Sequence, residues 1–326
     1  MAQIVLGLGT SHSPQLSTPP ELWPQHGERD QRNNRGLLDL QGNHVSYEAL
    51  LGKADRSIAK EITPEKRQAR YDACQKGIAR LGETLAQVSP DIVVMLGDDQ
   101  HELFTDENMP AVLVYWGETI LNLPRHADAA SPSQQASVWA YGDEKCYPIA
   151  SDLGKHLIES LIDGGFDVAH SRALRPGQGM GHAFSFVYRR IMHDRMIPTV
   201  PVMVNTYYPP NQPTPKRCYD LGRALRGAIE AWDGDARVAV VASGGLSHFV
   251  IDEELDHQII KAMREKDAEA LATLPRKRLN SGTSETRNWI ATAGAVEHLD
   301  MTLIDYVPCY RTPAGTGCAM AFAQWL

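Results

Sequence analysis

Short apolar runs rich in Val and Ile alternate along this chain with longer segments whose apolar residues recur at helical spacing. The runs at 3–9, 91–97, 111–116, 165–170, 197–205, 237–243, 302–309 and 317–323 are continuous, as in strands covered on both faces. The clearest helix is 64–88. Pro64 suits a first helical position, and Cys74, Ile78, Leu81, Leu85 and Val88 fall on one stripe. Further helices are predicted at 149–163, 184–193, 219–232, 254–273 and 284–298. Strands alternating with helices predict a layered α/β fold. No helix separates the last two strand runs, so a mixed β-sheet flanked by helices is expected, in a single domain over 1–326.

Two stretches break this rhythm. Residues 13–60 contain Pro14, Pro19, Pro20 and Pro24, followed by a polar run from Arg29 to Gly36. Long loops of this kind serve as lids or interaction segments, and a capping insertion over His12 is the expectation here. Residues 121–147 are the second irregular stretch.

Composition narrows the partners. The chain has 326 residues, 43% hydrophobic and 22% charged, which suits a globular protein with a sizeable core. A net charge of -8 argues against nucleic acid. Five widely spaced cysteines with no Cys-x-x-Cys pair suggest neither a disulfide framework nor a cysteine zinc site. Met1-Ala2-Gln3-Ile4 lacks the basic-then-apolar order of a signal peptide, and no apolar run is long enough to span a bilayer. A cytoplasmic protein with no membrane partner is expected.

Four of the twelve histidines stand where a strand-like run has just ended or in a glycine-rich loop that follows one. They are His12, His101, His182 and His248, each among small or turn-forming residues. Ligands bind beyond the carboxyl ends of strands in open α/β sheets. Imidazoles gathered there make a metal site, a proton-transfer site, or both. A carboxylate would complete a two-His-one-carboxylate triad of the type that leaves positions open on Fe(II). Asp98, Asp99, Glu102 and Glu285 are candidates. Glu285 also fits an ordinary reading, since acidic residues favour a helix's first turn. No serine lies in a Gly-x-Ser-x-Gly elbow, and neither glycine-rich segment has the third glycine of a dinucleotide fingerprint or the Gly-Lys-Ser/Thr of a P-loop.

Several of these segments resemble motifs of the class III extradiol ring-cleaving dioxygenases, the family of the protocatechuate 4,5-dioxygenase catalytic subunit. Thr10-Ser11-His12-Ser13-Pro14 is similar to the family's Ser-His-x-Pro ligand motif. Asp99-Gln100-His101 with Phe104 resembles its Asn-Asp-His segment, with Asp99 and Gln100 in place of the Asn and Asp. Gly181-His182 resembles an active-site histidine motif, and Gly244-Gly245-Leu246-Ser247-His248 the Gly-Gly-x-Ser-His of the acid–base histidine. Ser284-Glu285, four residues before Trp289, resembles the family's glutamate ligand.

The resemblance implies Fe(II) held by His12, His101 and Glu285, with His248 as acid–base catalyst and His182 contacting substrate or oxygen. It implies a small aromatic diol and O2 as co-substrates, with 3-O-methylgallate, gallate or a related lignin-derived catecholic acid as lead candidate. Tyr207, Arg217, Arg287 and Arg125 are candidates for holding the substrate. A homo-oligomer, a dimer, is expected. The same ligand types would also suit a zinc hydrolase, or a metal-binding protein without activity.

Overall fold

The computed structural model describes residues 1–32, 36–124, 132–133 and 142–326. Arg125 and much of the stretch 121–147 lie outside them. The main sheet comprises β1 (Gln3–Thr10), β2 (Ile92–Gly97), β3 (Val112–Tyr115), β6 (Ala169–Ser171), β7 (Thr199–Val204), β8 (Arg237–Ser243), β9 (His248–Val250), β10 (Met301–Tyr310) and β11 (Thr316–Trp325). Its order is β10-β11-β1-β8-β2-β7-β3-β6, with β9 paired to β11. A separate hairpin joins β4 (Thr119–Asn122) to β5 (Lys145–Pro148).

The mixed sheet follows from the connections. β1, β8, β2 and β7 are parallel neighbours, and helices link much of this part of the chain. β10 and β11 join directly as an antiparallel hairpin, as the missing helix between them predicts. Three adjacent parallel strands, β1, β8 and β2, therefore end at the same edge.

Both faces are covered. On one, Ile4, Val94, Leu96, Val202 and Val240 pack against α4 (Ser151–Asp163), α6 (Pro215–Ala231), α7 (Glu253–Glu265) and α9 (Thr286–Ala295). On the other, Leu6, Leu8, Val93, Met95 and Val241 pack against the Cys74-Ile78-Leu81-Leu85 stripe of α3 (Pro64–Val88). Ile4 and Leu6 face opposite ways because the β1–β8 register shifts between them. The remaining helices are α1 (Trp23–Arg32), α2 (Tyr47–Lys53), α5 (His182–Phe186) and α8 (Ala268–Ala272). No helix of the described residues is long and apolar enough to cross a membrane.

Some expectations shift on inspection. The 254–273 segment is two helices, because Lys266 turns left-handed and Asp267 caps the second through Ala270 N–H. The run at 165–170 begins as a turn: Gly165 has φ +80°, and the strand starts only at Ala169. Residues 13–60 are not mainly loop. They hold α1, α2 and short 3-10 turns, and Leu16, Trp23 and Leu37 are buried.

Gly9 shows how tightly the sheet meets α9. A Cβ there would lie 2.2 Å from Trp289 Cζ3. Trp289 cannot swing away freely, since its indole N–H donates to Gly244 O at 2.7 Å and it is fully buried. Gly9→Ala is expected to destabilise the fold by about 3 kcal/mol, by overpacking. Urea unfolding would read this as a lower midpoint; an unchanged midpoint would contradict it.

Candidate metal centre

Each strand end delivers one part of a buried cluster. His12 follows β1, Asp98 and Gln100 follow β2, and the loop after β8 leads to His248. Glu285 closes a 3-10 turn, Ser281–Glu285, just before α9, and His182 opens α5. His12, Asp98, His182 and Glu285 each offer a donor atom, and these atoms all lie within 4.8 Å of one another.

The hydrogen-bond network fixes which nitrogens face inward. Ser243 donates its hydroxyl proton to Ala183 O at 2.7 Å, so it accepts from His12 Nδ1–H at 3.0 Å. Glu102 Oε2 lies 2.6 Å from His182 Nδ1 and accepts its proton. Both rings then turn an Nε2 lone pair toward the same point, and the two Nε2 atoms are 3.1 Å apart. Two lone pairs at that distance repel unless a cation lies between them. Glu285 Oε2 sits 3.3 Å from His12 Nε2. Donors about 2.1 Å from a shared ion are about 3.0–3.4 Å from one another in octahedral or tetrahedral arrangements. Both separations fall in that range, so the donor set fits a metal ion.

Glu285 is braced on all sides. Gly245 N–H donates to Oε2 at 2.6 Å, Gln100 Nε2 donates to Oε1 at 3.1 Å, and His248 Nε2 stands 3.3 Å from Oε1. Burial opposes its ionisation, but His248 and His12 outweigh burial and hold its pKa well below the usual carboxylate value. Asp98 behaves oppositely: burial, then repulsion from Glu285, raises its pKa. Asp98 Oδ1 is also farther from His12 Nε2, at 4.0 Å.

His248 is buried and donates Nδ1–H to Leu246 O at 2.8 Å, which leaves Nε2 facing Glu285. Burial disfavours its charged form, yet Cys318 and Glu285 prevail and hold its pKa well above the usual histidine value. The turn carrying it is anchored from below. Ser247 N–H and Oγ–H donate to Asp256 at 2.9 and 2.5 Å, and Tyr306 O–H donates to the same carboxyl at 2.8 Å.

Burial pushes Asp256 up to about 7 against these three donors. In the unfolded chain it would ionise near 4. A raised folded value means the contribution is complete below about pH 4 and is lost as pH rises through about 7. Wild type is therefore expected to lose up to about 4 kcal/mol through this group between those limits. Asp256→Asn should flatten the slope, which urea midpoints at several pH values in that window would read. Parallel slopes in the two proteins would sink the assignment.

The structure does not bring His101 to the cluster. Its backbone is left-handed, φ +59°, and its exposed ring stacks on Tyr208 at 3.7 Å between centroids. Its Nε2 faces Asp106, 3.3 Å away. Asp98, Gln100 and Glu102 face the cluster, whereas the left-handed turn at His101 carries its ring outward. Asp99 instead accepts Leu103 N–H at 2.9 Å and Phe104 N–H at 3.2 Å, shaping the loop.

Two proposed substrate arginines are also elsewhere. Arg217 lies over the Phe166 ring at 3.7 Å and donates to Gly165 O. Arg287 is buried and spends its donors on Pro213, Thr206, Leu279 and Ser284 carbonyls, pinning loops around α9. Tyr207 does line the site, within a cavity of about 260 Å³ shared with His12, Gln100, His182, His248 and Glu285. Arg311 lines it as well, and sequence reasoning passed over it. Its place at the end of a hairpin strand gave no local signal. Ser13 and Pro14 bring residues 13–60 to the cavity wall.

The chain is similar to known proteins over much of its length. The family model described as the catalytic LigB subunit of aromatic ring-opening dioxygenase matches residues 57–317. A 2,3-dihydroxyphenylpropionate/2,3-dihydroxicinnamic acid 1,2-dioxygenase of Comamonas testosteroni is 27% identical over 176 residues, 54% of this chain and 49% of that enzyme. The corresponding Klebsiella pneumoniae enzyme is 27% identical over 187 residues, 57% of this chain and 52% of its own length. A gallate dioxygenase of Pseudomonas putida is 39% identical over 103 residues, 31% of this chain and 29% of that enzyme. The chain thus spans about half the length, or less, of these curated relatives. With four fifths of its length inside the family model and the matching motifs at one sheet edge, this chain belongs to the LigB family of aromatic ring-opening dioxygenases, the class III extradiol group.

Proposed function

We propose that this protein cleaves the ring of an aromatic 1,2-diol with O2, using Fe(II) held by His12, His182 and Glu285. The observation behind this reading is the pair of inward-facing Nε2 atoms 3.1 Å apart, with Glu285 Oε2 at 3.3 Å, on the wall of a cavity of about 260 Å³. Two imidazoles and one carboxylate would hold Fe(II) and leave positions for substrate and gas. The cavity suits a single aromatic ring better than a larger ligand. Bound Fe(II) would supply the electron path between diol and O2 that a spin-paired ring lacks.

The chain's own groups do the rest. Glu102 orients His182 by accepting its Nδ1 proton, which leaves Nε2 as the free donor atom. Gln100 and Gly245 hold the two oxygens of Glu285 in place. His248 presents Nε2 to the same cavity, where it holds a proton and can pass it between the diol and a departing oxygen. Tyr207, kept neutral by burial and by Glu285, offers a ring edge and a hydroxyl rather than a charge. Anaerobic iron loading followed by catechols, gallate and 3-O-methylgallate tests the reading. Oxygen uptake matched one to one by ring-opened product is expected. Turnover that proceeds without oxygen, or with zinc in place of iron, would point to hydrolysis instead.

A further inference from the structure

A second cavity, of about 250 Å³, lies against the segments that carry Glu102 and His182. It shares no lining residue with the site cavity. Leu113 of β3 and Met203 of β7, which are cross-strand partners, line it together with Phe104 and Phe184. A cavity of this size, walled by phenyl rings and aliphatic side chains, suits one aromatic ring.

Its polar lining favours an anion. Trp116 Nε1–H donates to His170 Nδ1 at 3.1 Å. An indole only donates, so Nδ1 accepts and the His170 proton sits on Nε2, as a donor. Arg175 lines the same cavity, and among the described residues its guanidinium makes no hydrogen bond. Its charge interacts with Glu107, which is exposed and outside the lining. No Asp or Glu among the described residues lines this cavity. Two donors, one of them a cation, with no acid beside them make a seat for a carboxylate.

The cavity is tied to the metal position. Leu103 and Phe104 follow Glu102 directly and belong to the lining, and Asp99 holds both of their N–H groups. Gln178, also in the lining, donates Nε2–H to Glu102 O at 3.3 Å. The Glu102 carboxylate accepts His182 N–H at 3.0 Å and Nδ1–H at 2.6 Å. A Cβ on Gly181 would lie 2.7 Å from Glu102 Oε2, so the two segments touch. Whatever orders Leu103, Phe104 and Gln178 therefore bears on how His182 is aimed.

We propose that this cavity is a second binding site, for a single-ring aromatic acid lacking a diol, and that its occupancy alters metal binding through Glu102 and His182. Only the metal that reports the coupling rests on the reading above; binding of the acid does not.

The probe is 4-fluorobenzoate, followed by fluorine NMR with the metal-free protein and then with anaerobically added Fe(II). Wild type is expected to bind one equivalent. Ala173→Trp, at an exposed position of the lining, fills the space and should weaken binding by about tenfold or more. Arg175→Gln, also exposed, should weaken it by about tenfold. Saturating probe should change the wild-type Fe(II) Kd by about fivefold or more, and iron should change the probe Kd by the same factor. Ala173→Trp should lose that reciprocity. No binding by wild type, binding unmoved by either variant, or binding that leaves Fe(II) affinity unchanged would overturn the proposal. Oxygen uptake with diols is measured separately, so a failure of ring cleavage is distinguished from a failure of this site.

Discussion

His182→Ala is expected to lose its bound iron, and His101→Ala to keep it. The distinction follows from where the two rings point. His182 Nε2 lies 3.1 Å from His12 Nε2, with its other nitrogen pinned to Glu102. His101 is exposed, stacked on Tyr208, and turned away by its left-handed backbone. Removing one of three donors should weaken Fe(II) binding by more than about a hundredfold, since loss of a mere orienting partner already costs about 10–100-fold. Glu102→Gln, which removes such a partner, should fall in that smaller range. Glu285→Ala and His12→Ala should behave like His182→Ala. Anaerobic ferrous titration with metal analysis separates these cases. Iron lost from His101→Ala but retained by His182→Ala would reverse the ligand assignment.

The second large effect concerns His248. His248→Ala is expected to retain iron and bind the diol, while kcat falls by about 10²–10⁴-fold. Its ring touches Glu285 through Nε2 but is oriented by Leu246 O, so its loss should leave the three donor atoms in place. Proton delivery depends on one atom facing the cavity with, among the described residues, no other cavity histidine poised to replace it, because His12 and His182 turn their Nε2 atoms toward each other. Single-turnover kinetics under substrate saturation isolates the step. Unchanged kcat would remove His248 from the acid–base role and leave its motif as a structural turn.

Much of the frame was legible because it rests on local rules. The stripe from Cys74 to Leu85 gives α3 with the observed bounds, and Thr63 caps it through Lys66 N–H. The continuous apolar runs give the buried strands, and their ends mark the site edge. The short β4–β5 hairpin was not legible: each strand has four residues and a weak pattern, and the pairing depends on tertiary packing. At the site, Glu285 stood out only through the family resemblance, in which the glutamate precedes a tryptophan by four residues, and the structure shows what Trp289 does there. Trp289 plugs the space over Gly9 and bonds Gly244, so it holds the turn that presents Glu285.

The structure sets His101 outside the cluster because the chain bends at residues 100–103 and His101 itself is left-handed, φ +59°, a turn its own residue type does not signal. His182 and Arg311 depend on long-range contacts, to Glu102 in one case and to Gln15 and Asp30 in the other. No local pattern announces such partners.

The most direct test of the ligand assignment is a crystal structure of the protein loaded anaerobically with one equivalent of Fe(II), with anomalous scattering used to place the ion. The expected result is a single iron bound by His12 Nε2, His182 Nε2 and a Glu285 oxygen. An iron coordinated by His101, or one lying away from Glu285, would contradict it.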